Sequence, residues 1–146
     1  MPPSNCFMSE TTLRIRYAEV DAMGIVHHSH YIVFLEEGRS DHARKRGHPY
    51  GKIEKEGIYL LVTEISIRHH KPAHYEDLIV VHTWVADIQS RGMTFNYEIV
   101  NADSGELLVT ATTKHVCITP DGSVARVPEA WRDWAKNPDQ LIENHA

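Results

Sequence analysis

One segment with helical periodicity, followed by a run of segments with strand periodicity, most limits what this chain can fold into. Tyr31, Phe34, Leu35 and Gly38 recur at i, i+3, i+4 and i+7. This spacing predicts a helix that lays one apolar stripe on a sheet. Because glycine disfavours a helix interior, its place in the stripe indicates close packing against another backbone.

The ends of this helix also carry signals. Ser29 is the expected N-cap, since its hydroxyl can accept hydrogen bonds from first-turn amides. Gly47 predicts a left-handed C-terminal stop, and Pro49 prevents continuation. We expect the charged end, residues 39–46, to be a solvated face and residues 48–57 to form a loop.

Apolar and polar residues alternate in the remaining segments, which predicts strands. A single helix among strands indicates an α+β domain with the helix on one face of an antiparallel sheet. Both faces of residues 78–86 are partly apolar, which fits a central strand or a subunit contact. We expect one domain over residues 1–146, with loose tails at about 1–10 and 138–146, and a short helix opened by Pro128. The predicted strands begin at Thr12 and then cover residues 61–68, 78–86, 93–99 and 107–118.

Composition and charge narrow the function classes. The 146 residues are 42% hydrophobic, enough for a core, and the formal net charge of −5 disfavours non-specific binding to nucleic acid. No segment has the roughly 20 apolar residues that span a bilayer, and no signal peptide is visible. Two cysteines in no metal-ligand spacing indicate a reducing compartment. We expect a cytoplasmic protein.

The loop before the helix holds the candidate chemistry. Asp21 is followed by Gly24, which leaves room for a ligand to approach the backbone, and then by amides near His28. Free N–H groups at a helix start stabilise negative charge on a carbonyl oxygen. A carboxylate facing them could attack an acyl carbon or activate water. The alternative is that Asp21 is only a turn or cap residue.

Histidines cluster around the same loop, but their spacing matches no zinc signature, so we expect no metal site. His28 is the best of them to orient substrate or water, and capping local backbone is its alternative role. A second group, His69, His70 and His74, is interpreted as surface residues at a strand end, with weak metal binding as the alternative.

Other nucleophiles are less convincing. Ser29 lacks an elbow motif, and Cys117 lies in a strand pattern, which favours packing. Glu36 and Glu37 remain alternative carboxylates on the helix. Arg91 is either a turn residue or a phosphate contact at a pocket mouth.

These residues form a pattern that resembles hotdog-fold acyl-CoA thioesterases, closest to the 4-hydroxybenzoyl-CoA thioesterase family and its YbgC-like members. The resemblance extends from about Leu13 to Trp134. One departure is His27, at a position where an aromatic residue is usual, and it bears on acyl preference. The motif reads Asp21-x-x-Gly24-Ile25-Val26-x-His28-x-x-Tyr31, followed by Glu36 and Arg39, then by residues 71–77, 91–95 and 127–129.

The resemblance implies a five-stranded antiparallel sheet wrapped around a long helix, with subunits paired into dimers or dimers of dimers and sites at the interface. It implies that Asp21 is the catalytic carboxylate and that the His28 amide polarises the thioester carbonyl. Gly24 would line the acyl approach, and Arg91 would meet the phosphates of CoA. The expected reaction is hydrolysis of an acyl-CoA thioester with no metal and no cofactor beyond the substrate's own CoA.

Two other functions remain open from the sequence. One is a non-catalytic acyl-thioester binder on the same fold. The other is a dehydratase or hydratase, which needs a paired histidine and acidic residue that His28 and Glu36 supply only in part.

Overall fold

The computed structural model describes residues 6–134. Within this range the strands are β1 (Met8–Arg14), β2 (Tyr59–His69), β3 (Leu78–Ile88), β4 (Gly92–Asn101) and β5 (Leu107–Ile118), and the helices are α1 (Ser29–Lys45) and α2 (Tyr50–Lys55). The strands form one antiparallel sheet in the order β1-β3-β4-β5-β2. The predicted α+β architecture, with one long helix on the sheet, is confirmed.

The two sheet edges, β1 and β2, are joined by the segment that carries α1. This connection takes α1 across one face of the sheet, where it packs against β1 and β3. The first strand begins at Met8 rather than Thr12, so residues 8–10, predicted as a loose lead-in, are strand. The predicted tail from 138 and the Ala135 position of the terminal helix lie outside the described residues.

The predicted apolar stripe of α1 is buried as expected. Tyr31, Phe34 and Leu35 are at most 3% exposed. Gly38 faces β3, where an added Cβ would lie 2.6 Å from the hydroxyl of Thr83 and 2.7 Å from a methyl of Val81. The close approach is confirmed, but it is made to side chains and not, as predicted, to backbone.

Only one end of α1 is capped as predicted. At the C-terminus Gly47 adopts φ +83°, its amide donates to the Arg44 carbonyl, and the His48 amide donates to the Ala43 carbonyl at 2.9 Å. These bonds form a Schellman motif. At the N-terminus the prediction was wrong, because Ser29 is the first helical residue and its hydroxyl bonds the ring of His27 at 2.9 Å.

The predicted solvated face over residues 39–46 is partly wrong. Arg39 is 7% exposed and His42 is fully buried. The Arg39 guanidinium donates to the Tyr97 hydroxyl, which bonds Thr113 at 2.6 Å, and Thr113 bonds His115 at 2.7 Å. The charge pattern along one helix does not reveal this series of hydrogen bonds, since the partners of Arg39 come from β4 and β5.

Residues 48–57 also differ from the loop that was predicted. They contain α2, a helix of 6 residues that begins after Pro49. Ile53 is its only core residue, at 2% exposure. So short a helix shows no periodicity in sequence. Beyond β5, the helix predicted at Pro128 is a single 3-10 turn, Glu129–Trp131. Among the described residues, no helix is both long and apolar enough to cross a bilayer.

Candidate active site

The loop that precedes α1 is a tight hairpin held by backbone bonds. The Asp21 amide donates to the Ile25 carbonyl at 2.9 Å, and the Gly24 amide donates to the Asp21 carbonyl at 3.0 Å. Val20 and Val26 pair across its base. Gly24 has φ +79°, a backbone conformation that other residues rarely adopt, and nothing lies within 4 Å of an added Cβ. The glycine therefore shapes the turn and leaves its outer side open.

The carboxylate of Asp21 stands on this loop and is exposed. Its Oδ1 accepts a hydrogen bond from the Met23 amide at 2.8 Å, so the turn role left open by the sequence is present. Oδ2 has no hydrogen-bond partner within residues 6–134. One oxygen thus fixes the side chain, while the other faces outward.

The start of α1 presents an unused donor. The His27 amide donates to the Glu19 carbonyl at 3.0 Å, whereas the amide of His28 donates to no other group in the described part of the chain. His28 directly precedes a helix of 17 residues. A free N–H at this end carries the positive end of the helix dipole and favours a developing oxyanion.

The ring of His27 organises this helix start. Its Nδ1 lies 3.3 Å from the Ser29 amide, which donates to it, and also bonds the Ser29 hydroxyl. The ring also lies 4.1 Å from that of His28. This role was missed from the sequence, where His27 entered only as a departure from the family pattern.

A cavity of about 350 Å³ lies at the start of α1, where His28 lines it. Its far wall is the end of β2 and the segment after it, which is tied to the loop by the Val26 amide donating to the Ala73 carbonyl at 2.9 Å. The Tyr31 ring meets that of His69 edge-on, and burial raises the pKa of the Tyr31 hydroxyl. The lining residues are Ile25, Val26, His28, Tyr31, His69, His70, Lys71 and Pro72.

Two histidines of this wall were not predicted as site residues. His69 and His70 were interpreted as strand-end surface residues, yet both line the cavity. His70 bonds the Thr110 hydroxyl at 3.0 Å, while the ring of His69 makes no hydrogen bond among the described residues. Only the pairing of β2 with β5 brings them opposite α1, so their position was not visible in the sequence.

Within one subunit, the other predicted site residues lie outside this cavity. Asp21 and Gly24 are on the adjoining loop but do not line it, and Arg91 lines a separate cavity of about 270 Å³ with Thr63 and Lys114. Arg91 is near the β2 end where Leu61 and Gly92 both face Val116, which is the end opposite His69. The subunit alone therefore does not bring Asp21, His28 and Arg91 together.

The alternative nucleophile and carboxylates named from the sequence are Cys117, Glu36 and Glu37. Burial raises the pKa of the Cys117 thiol to about 11, which suits a packed thiol rather than a nucleophile. Glu36 and Glu37 line two cavities other than the one beside His28. Among residues 6–134, no group of three histidine, cysteine, aspartate or glutamate side chains is arranged to hold a metal ion.

A five-stranded antiparallel sheet with one long helix laid on one face is the architecture of the hotdog fold. The chain matches the Thioesterase-like superfamily over residues 15–135 and belongs to that family. The predicted family, fold and enzyme class are therefore confirmed.

Its relatives are similar over nearly their full length. The chain is 37% identical to the putative acyl-CoA thioesterase YneP of Bacillus subtilis, over 87% of this chain and 92% of YneP. Among solved structures, it resembles the DHNA-CoA thioesterase of Staphylococcus aureus with a TM-score of 0.81 and 33% identity, covering 94% of each chain. The chain also resembles the hypothetical protein TT1821 of Thermus thermophilus, with a TM-score of 0.81 and 36% sequence identity, over 86% of this chain and 96% of TT1821.

Proposed function

We propose that this protein hydrolyses an acyl-CoA thioester to a free carboxylic acid and CoA, with Asp21 as the catalytic carboxylate. The observation that carries the proposal is the unused amide of His28 at the start of α1, since His28 also lines a cavity of about 350 Å³ next to the Asp21 loop. Relatives named as acyl-CoA thioesterases support CoA as the thiol.

The chemistry needs two groups on opposite sides of the acyl carbon. In one route the Asp21 carboxylate takes a proton from a water molecule while the oxygen of that water bonds the carbonyl carbon. The oxyanion that forms is stabilised by the His28 amide. Its collapse breaks the C–S bond, and the CoA thiolate leaves and takes up the proton. In the other route the Asp21 carboxylate attacks the carbonyl carbon directly, the C–S bond breaks and the CoA thiolate leaves, and water then hydrolyses the mixed anhydride to the free acid and the Asp21 carboxylate.

A second copy of the chain would complete this site. β2 is an edge strand of 11 residues, and its apolar side chains Leu61, Val62 and Ile65 are 37–50% exposed. Open edges of this kind pair readily with another strand. If two β2 strands pair antiparallel about a two-fold axis, the Arg91 end of one subunit lies beside the His69 end of the other. Arg91 of the second subunit would then meet the CoA phosphates.

The proposed assembly is thus a homodimer, or a dimer of dimers, working in the cytoplasm. It uses no metal and no cofactor beyond the CoA of its substrate, because a carboxylate and an amide supply the proton transfer and the charge stabilisation that hydrolysis needs. Gly24 would keep the approach to the acyl carbon clear.

The decisive variant is Asp21→Asn. Asparagine keeps an oxygen for the Met23 amide, so the loop should persist, but it can neither accept the proton nor attack. We expect kcat/KM on acyl-CoA substrates to fall by roughly 10² to 10⁴, the range for loss of a general base. The measurement is release of CoA thiol across short, long and aromatic thioesters.

Asp103→Asn is the matched control, since Asp103 is exposed in the turn between β4 and β5 and should leave turnover unchanged. Parental activity in Asp21→Asn would overturn the role of Asp21. Product analysis separates the remaining functions, because a hydratase yields no free acid and a binder releases no CoA.

A further inference from the structure

A second, smaller cavity of about 150 Å³ lies between α1, α2 and the beginning of β2. About half of its wall is apolar, and the polar side chains that line it are Glu36, Arg39, Tyr50 and Glu54. Cavities that bind whole ligands are usually about 300 Å³ or larger. This one has the size of a pocket for the end of a longer ligand. It is lined by Glu36, Arg39, Tyr50, Ile53, Glu54, Ile58, Leu60 and Val62.

One polar group of this pocket is not satisfied by the fold. The Tyr50 hydroxyl is buried and makes no hydrogen bond of good geometry in the described part of the chain, although the Arg39 guanidinium lies near it. Burial raises its pKa, so it stays a neutral hydroxyl. Arg39 is 7% exposed and donates to the Tyr97 hydroxyl through one amino group. Buried polar groups are nearly always hydrogen-bonded, so the Tyr50 hydroxyl calls for a ligand group.

The charges of the wall select a neutral group over an anion. Glu36 and Glu54 line the same pocket as Arg39, so two carboxylates stand against one guanidinium. A carboxylate ligand would be repelled by both. A hydroxyl can accept from Arg39 and donate to, or accept from, Tyr50.

Exposed apolar side chains of α1 and β2 lie between this pocket and the cavity beside His28, and the surface between them is here called the groove. α1 packs mainly on β1 and β3, and the short α2 packs on β2. On α1, Ile32 follows His28 by four residues, lies on the same face and is 44% exposed. On β2, Val62 and Ile65 pair with buried His115 and Thr113, so they face the helix side, yet they are 37% and 39% exposed. From His28 to Arg39 the groove is about 16 Å long at the helical rise.

We propose that this groove holds the acyl chain of the substrate and that Arg39 and Tyr50 bind a neutral hydroxyl at its far end. The enzyme would then prefer long acyl-CoA thioesters that carry a terminal hydroxyl. This inference rests on the proposed thioesterase function. The second subunit, paired through β2, would cover the groove and exclude water from the chain.

The test compares three substrates of one chain length, dodecanoyl-CoA, ω-hydroxydodecanoyl-CoA and the corresponding ω-carboxyl thioester. We expect the parent to favour the ω-hydroxyl substrate over the plain one by about tenfold in kcat/KM, the effect of one buried hydrogen bond. The ω-carboxyl substrate should be the poorest. In Tyr50→Phe the preference for the hydroxyl, taken as the ratio of kcat/KM for the two substrates, should fall to about one.

Tyr59→Phe is the matched control, because Tyr59 begins β2 and does not line the pocket. It should keep the parental preference. A parent that cleaves dodecanoyl-CoA with no preference, or a preference that survives Tyr50→Phe, overturns this inference and leaves the thioesterase function intact. A parent that cleaves only short or aromatic thioesters also overturns this inference and leaves the thioesterase function intact. Failure to cleave any acyl-CoA overturns both proposals.

Discussion

Gly38 of α1 and Gly51 of α2 both occupy helices, but their surroundings differ. An added Cβ at Gly38 meets Thr83 at 2.6 Å and Val81 at 2.7 Å, while Gly51 has nothing within 4 Å. Thr83 and Val81 are fully buried and β-branched, so neither can turn aside. The requirement for glycine at position 38 is therefore steric and comes from β3.

This difference gives a matched pair of variants. Gly38→Ala should lower the free energy of unfolding by about 1–3 kcal/mol, the usual cost of overpacking a core. Gly51→Ala should leave it unchanged or raise it by about 0.5–1 kcal/mol through better helix propensity. Urea unfolding followed by circular dichroism measures both. Equal effects in the two variants would mean that α1 can move away from β3 at little cost.

Among the elements, β2 is the one whose surroundings in the subunit are incomplete. It pairs with β5 on one side only, and Ile65 on its helix-facing side is 39% exposed. An apolar edge strand of 11 residues is an aggregation hazard unless another strand or element covers it. Its exposure supports the proposed pairing of two subunits.

A charge placed on this strand tests the pairing. Ile65→Lys should convert the dimer to a monomer at micromolar concentration while the far-UV spectrum is kept, because lysine cannot be buried unpaired in the seam. Thioesterase activity should fall with it, since the site is proposed to draw on both subunits. Light scattering measures the molar mass of the particle in solution and so distinguishes the dimer from the monomer.

Leu107→Lys is the control, as Leu107 is 37% exposed but belongs to β5. It should remain a dimer. A parent protein that is monomeric and fully active would contradict both the pairing and the shared site.

For the molecule as a whole, two buried histidines link stability to pH. Burial, reinforced by Arg46, lowers the pKa of His42 to about 4, and burial with Arg39 lowers that of His115 to about 3. In the unfolded chain a histidine titrates near 6.5. Below about pH 6.5 the unfolded state therefore binds more protons than the folded one, and stability falls as the pH drops toward 4.

The expected slope is about 1 kcal/mol per pH unit for each of the two histidines between pH 6 and 4. His115→Gln should be less stable at pH 7, because it disturbs the bond to Thr113, but it should lose only about half as much on acidification. The measurement is urea unfolding across this pH range. The exposed His70→Gln should keep the parental slope, and an unchanged slope in His115→Gln would contradict the assignment.

The periodic parts of the fold could be predicted because they depend on neighbours in the chain. The stripe of Tyr31, Phe34 and Leu35 repeats every helical turn, and the alternation along β4 repeats every second residue. The stop at Gly47 was predicted for the same reason, since a positive φ is a local requirement. Asp21, Gly24 and His28 could be singled out because the loop and the helix start are adjacent in sequence.

What the sequence by itself determined is thus the α+β class, the order of one long helix and five strands, and the loop that carries the candidate carboxylate and amide. Only the tertiary structure decided that Arg39 and His42 are buried, that His69 and His70 face the His28 cavity, and that Arg91 lies at the other end of β2. The physical reason is the distance along the sequence between the residues that interact. Periodicity and turns express contacts within a few residues, whereas burial of a charge and the wall of a cavity depend on strands that pair across most of the chain.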